Sequence, residues 1–159
     1  YQAEHTNFDK PSAGLWYALG SDWIEWVRWE WPSMSDDRYA YVYEIHLTGN
    51  ILKLNTREEH IEFYEKYSEL TPNKFGNTTR KRINWRKVAN DYDGIQVMGK
   101  NFKEDSIPYQ LNNNQNPLYW VNAWEVNGGV IWNRNAFKVG KLLFSKEDEL
   151  WEKLRPDYD

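Results

Sequence analysis

Cysteine is absent from the 159 residues. Disulfides, zinc–thiolate sites, iron–sulfur clusters and thiol nucleophiles are excluded together. Long apolar runs are missing as well. No stretch approaches the ~18–20 apolar residues of a membrane span, and none has the layout of a secretory signal. The expectation is a cytoplasmic protein with no membrane partner. The chain opens on Tyr1 and not on Met, which reads as a trimmed or processed start. Phosphate-cradling loops are missing: there is no GxxxxGK[ST] and no GxGxxG. No GxSxG elbow is present. Histidine is scarce. His5, His46 and His60 lie on separate segments, without HExxH or a calcium-type loop, so no metal is expected. Nor do basic residues dominate. Twenty Lys and Arg face 24 Asp and Glu, for a net charge of -4. That speaks against a general nucleic-acid coat and leaves room for a local basic patch. One such patch is Arg80, Lys81, Arg82, Arg86 and Lys87, which favours a phosphate-rich target or is simply a solvated face.

What the chain has in excess is rings. Ten Trp, eleven Tyr and six Phe make 17% of the residues, while the hydrophobic total is 40%. Mean hydropathy is -0.91. A core must therefore be built largely from aromatics. The same side chains stack on sugars, bases and nicotinamide.

Length predicts one domain, residues 1–159, with no internal repeat and no linker. Residues 1–6 and GLWYAL (14–19) read as strands. Ser21 is positioned to cap a helix over residues 22–31, with Trp23 and Trp26 on one face. YAYVYEIHL (39–47) and ILKLN (51–55) read as strands about a Gly49-Asn50 turn. Thr56 with Glu59 is a capping box, and Asn84 caps a helix whose Trp85, Val88, Ala89 and Tyr92 share a face. Residues 71–82 and 112–117 read as polar loops. IQVM (95–98), LYWVNAWEV (118–126), VIWN (130–133) and FKVGKLLF (137–144) read as strands, with Asn127-Gly128-Gly129 as a hairpin or bulge signal. Ser145 opens a short C-terminal helix to about Leu154. The expected class is α+β, with split mixed and antiparallel sheets and flanking helices.

One constellation stands out. His5-Thr6 ends the first strand. GLWYA (14–18) follows and leads into the capped helix. Glu125 and then VIWN come near the end. This order resembles the ADP-ribosyltransferase fold, in the branch shared by diphtheria-type toxins and poly(ADP-ribose) polymerases. There a strand of the type GIYFA precedes a helix, and nearby aromatics sandwich nicotinamide. The GLW, DG and G-x-IWN anchors also resemble those of small phage and bacterial proteins, which would put the chain in a bacterial host cell. The resemblance implies NAD as substrate, release of nicotinamide, and transfer of ADP-ribose to a macromolecular target. It gives His5 the ribose contact, with Thr6 and Gly14 beside it. It makes Trp16, Tyr17 and Trp26 the nicotinamide clamp, and Glu125 the catalytic acid. Two departures stand: Thr6 replaces the family's Gly, and the family's Glu position falls on or next to Gly129. Asp93 and Glu44 are the alternative carboxylates.

The chemistry of these residue types agrees. Breaking a nicotinamide–ribose bond passes through a ribose oxocarbenium cation, which a carboxylate steadies. Flat rings hold the nicotinamide, and no metal or thiol is required. Two other readings stay open. One is a non-catalytic module stacking carbohydrate or nucleotide on exposed aromatics. The other is a structural or partner-binding protein whose rings are all core.

Overall fold

Capping chemistry sets two of the α-helices. A computed structural model describes residues 10–11, 13–25, 41–72, 78–107, 110–111 and 114–145. In it Thr56 Oγ1 accepts the Glu59 N–H at 3.2 Å, and the Glu59 carboxylate accepts the Asn55 N–H at 2.7 Å. These two bonds satisfy donors that the helix cannot. The helix α1 runs Arg57–Tyr67 and buries His60, Phe63, Tyr64 and Tyr67. Asn84 Oδ1 accepts the Lys87 N–H at 3.2 Å and starts α2, Trp85–Asp91, which buries Trp85 and Val88.

Ten strands accompany them among the described residues. They are β1 (Leu15–Ala18), β2 (Tyr41–Leu47), β3 (Ile51–Lys53), β4 (Ser68–Pro72) and β5 (Thr78–Ile83). After α2 come β6 (Gly94–Met98), β7 (Gln110–Leu111), β8 (Asn114–Gln115), β9 (Asn127–Ile131) and β10 (Phe137–Ser145). A four-stranded sheet has the order β1-β9-β6-β3, and three ribbons pair β10 with β2, β4 with β5, and β7 with β8. β3 and β6 are parallel, while β9 is antiparallel to both its neighbours. The class is thus α+β, as expected.

The sheet register sorts side chains by face. Trp16, Val130, Ile95 and Leu52 align across the four strands, and so do Tyr17, Gly129, Gln96 and Lys53. Successive strand residues point to opposite faces. Of the first row, Val130 and Ile95 belong to the main core with Val97, Leu54 and the helices, Leu52 packs against it, and Trp16 at the edge stays partly exposed. Rings fill that core, as the composition requires. Phe63 lies 4.9 Å from Trp120 and 5.9 Å from Trp85, and His60 lies 4.9 Å from Phe102.

Three expectations are corrected here. Residues 118–126 are not a strand: Tyr119–Ala123 is a 3-10 turn. The Asn116 side chain bends the chain into it, accepting the Leu118 N–H and donating to the carbonyls of Asp105 and Ile107. Residues 71–82 are not wholly a polar loop, because Thr71, Pro72 and residues 78–82 lie in the paired strands β4 and β5, while 73–77 lie outside the described residues. Gly128-Gly129 is not a turn but lies within β9, where neighbouring backbone comes close. The expected strand over residues 1–6, most of the helix beyond residue 25, and the C-terminal helix lie outside the described residues.

The glycine pair carries a prediction. A Cβ on Gly128 would sit 2.2 Å from the Tyr17 carbonyl oxygen, which is backbone and cannot swing away. Gly128→Ala is therefore expected to cost about 1–3 kcal/mol and to loosen β1 from β9. Hydrogen exchange should speed up at the β1 and β9 amides and stay slow in α1. Equal protection throughout would refute that seating of the strand.

Candidate functional site

Trp16 and Trp124 meet at the outer end of the sheet. Trp16 is on edge strand β1 and remains 40% exposed. Its ring centroid lies 5.2 Å from that of Trp124, with the planes at 52°. Trp124 itself is buried, and among the described residues its indole N–H has no hydrogen-bond partner. Gly99 admits this arrangement, since a Cβ there would press on the Trp124 carbonyl at 2.3 Å. Glu125 follows Trp124 in the chain. It is solvent-exposed and forms an ion pair with Lys103.

Beside this pair, three segments are tied together by Asn127. Its backbone carbonyl accepts the Leu19 N–H at 2.8 Å, and its N–H goes to Asp22 Oδ2 at 3.2 Å. Its side chain accepts from the Lys100 N–H at 3.0 Å and donates to Asn101 Oδ1 at 2.9 Å. The Lys100 ammonium lies 3.4 Å from both Asp22 and Glu25. Asp22 chiefly, and then Glu25, raise the Lys100 pKa above its ordinary value. Ser21 does not cap through its side chain as expected. Its hydroxyl donates to Glu25 Oε1 at 3.0 Å, while its carbonyl accepts the Glu25 N–H.

The candidate residues divide accordingly. Trp16 and the chain around Glu125 converge through Trp124. Tyr17 does not join them, because it points to the opposite face of β1 from Trp16. Its ring lies over Gly129, where a Cβ would be 2.5 Å from the Tyr17 hydroxyl oxygen, and that hydroxyl donates to Gln96 Oε1 at 3.0 Å. Burial pushes the phenol pKa well above its ordinary value. Gly14 has φ +142°, and a side chain there would strike Val130 at 2.6 Å. Its role is to let the chain enter β1 against β9. His5, Thr6 and Trp26 lie outside the described residues.

The two alternative carboxylates are engaged elsewhere. Asp93 accepts from the Asn50 N–H and from the Asn133 side chain, both at 2.8 Å. Asn133 first, then Asn50, hold its carboxyl below the usual range. Glu44 is on β2, 3.5 Å from His46. Of the basic patch, Lys87 forms an ion pair with Glu69.

Sequence reasoning missed Asp22, Lys100, Lys103, Trp124 and Asn127. The available signal was Asn127, whose two following glycines mark close backbone approach as readily as a turn. Among the described residues, no three His, Asp or Glu side chains gather as metal ligands, and no helix is long and apolar enough to cross a membrane. A groove of about 220 Å³ opens between α1 and β3, lined by Leu52, Lys53, Glu59, Glu62, Lys66 and Tyr92 among others, and none of the candidate residues borders it. Comparison of the chain with protein-family models, curated proteins and solved structures finds no match.

Proposed function

We propose that the chain takes NAD at the Trp16–Trp124 end of its sheet, releases nicotinamide and passes ADP-ribose to a macromolecular target. One observation carries this reading. Two tryptophans 108 positions apart pack at 5.2 Å and bring the GLWYA string to the segment bearing Glu125. A half-exposed indole is a stacking surface for a flat ring. A carboxylate beside it can steady the ribose cation that forms as the C–N bond breaks. The electron pair of that bond leaves with nicotinamide, and a nucleophile of the target adds to the ribose carbon and sheds a proton. Glu125 serves in this scheme by exchanging Lys103 for the ribose.

The resemblance to the ADP-ribosyltransferase fold supports the reading, with the clamp reduced to Trp16 on this face. The Glu125–Lys103 ion pair favours a second reading, a module that stacks a nucleotide or sugar ring on Trp16 without chemistry. Labelled NAD separates the two. Nicotinamide release in the presence of protein and nucleic-acid targets is expected, and Glu125→Gln should slow it more than ten-fold while leaving NAD binding intact. Binding without release supports the module. Release undiminished in Glu125→Gln would remove the carboxylate from the mechanism.

A further inference from the structure

Trp16 already holds a cation. The Lys10 ammonium stands 5.6 Å from the centroid of the Trp16 indole. That is within the ~6 Å at which the negative face of a ring attracts positive charge, and Trp is the strongest such ring among side chains. The ring is firmly seated, since Trp124 backs it at 5.2 Å and is itself buried. Enough of it is open, at 40% exposure, to receive a ligand. We propose that this face selects flat organic cations over neutral rings of the same shape, and that Lys10 is an internal occupant which the ligand displaces. The proposal rests on Trp16 being the ligand platform, as above, and adds the charge that the ligand carries.

The chemistry gives this selection a purpose. The nicotinamide ring of NAD is a pyridinium and carries a positive charge. When the bond to ribose breaks, the electron pair stays with the ring and nicotinamide leaves neutral. The platform therefore holds the substrate ring and loosens on the product. Because the ring loses its charge on the way to the transition state, the contact lowers KM and does not raise kcat.

The test is a ligand-observed NMR titration of the whole chain with 1-methylnicotinamide, a cation, and with nicotinamide, its neutral analogue. The cation is expected to bind about 3-fold more tightly, the scale of an exposed cation–ring contact. Lys10→Ala removes the competitor and a like charge, and should tighten the cation by about 3-fold, more than it tightens the neutral ring. Trp16→Leu should abolish both signals. Equal affinities of the two rings would overturn charge selection and leave the platform standing. Cation binding unchanged in Lys10→Ala would overturn the role of Lys10. No binding of either ring would overturn the platform itself, and with it the function proposed above.

Discussion

Trp120→Ala is expected to lower the unfolding free energy by about 3 kcal/mol, with a fall in Tm of about 6–12 °C. The side chain is 1% exposed. It touches Phe63 at 4.9 Å, His60 at 6.0 Å and Trp85 at 6.4 Å between centroids, so its removal leaves a void walled by rigid rings. Rings cannot collapse into such a void as flexible aliphatic chains can, which argues for a large loss. One effect opposes it. Among the described residues the buried Trp120 indole N–H has no partner, and its removal relieves a penalty of about 1–3 kcal/mol. The packing loss is the larger, but the relief keeps the total at the lower end of the usual ~3–5 kcal/mol for such truncations. Urea denaturation of the variant and the parent measures the difference. A loss below about 1 kcal/mol would mean that the ring cluster is not the core.

The second large effect concerns His60. This imidazole is fully buried, with Nδ1 2.6 Å from the Thr56 carbonyl and Nε2 3.2 Å from the Met98 nitrogen. A carbonyl needs a donor and an amide N–H needs an acceptor. The ring is therefore neutral and held in one tautomer, with the proton on Nδ1. Burial lowers its pKa below the ordinary 6.5, against smaller raising effects of the Thr56 carbonyl and the Glu59 carboxylate. Phe102 and Trp120 pack against the ring and carry no charge.

The sign follows from proton binding. Below pH 6.5 the unfolded chain takes up a proton at His60 that the folded chain resists. The His60 contribution to stability is therefore fully present above pH 6.5 and is lost as the pH falls toward its lowered folded value. His60→Leu should cost about 2 kcal/mol at pH 8, because the Met98 N–H loses its acceptor. The variant should also fall less steeply between pH 7 and pH 5. Urea midpoints across that range provide the check, and parallel curves for variant and parent would contradict the assignment. Asp93 works in a separate window. Its lowered pKa gives stability that is present above about pH 4 and is lost as the pH falls further.

Local signals were the legible part of the sequence. The Thr56–Glu59 box and the Asn84 cap act within four residues, and both helices start where those residues put them. The strand at GLWYA was legible for the same reason. The pleat of that strand also shows that Trp16 and Tyr17 cannot flank one ring, a constraint that the family resemblance obscured. What was not legible depended on distant partners. Residues 118–126 look like an alternating strand until Asn116 finds the carbonyls of Asp105 and Ile107. Gly128 and Gly129 look like a turn until the Tyr17 and Ile95 carbonyls are laid against them. The meeting of Trp16 with Trp124 was legible only as a general expectation that early rings face a late carboxylate. Trp124 and Lys103 were invisible because each is defined by a partner on another strand or loop, and the Asn127 junction was marked only by the two glycines that follow it.

The edge position of β1 has a consequence for biosynthesis. Ala18 faces Gly128, 110 positions later, and among the described residues no other strand pairs with β1. On a ribosome extending the chain by roughly 5–20 residues per second, this segment waits on the order of ten seconds for its partner. During that wait Leu15 and Trp16 are exposed, apolar and unzipped. The nascent polypeptide is thus open to chaperone capture and misassociation at this strand, and translation speed between Ala18 and Gly128 sets how long that interval lasts.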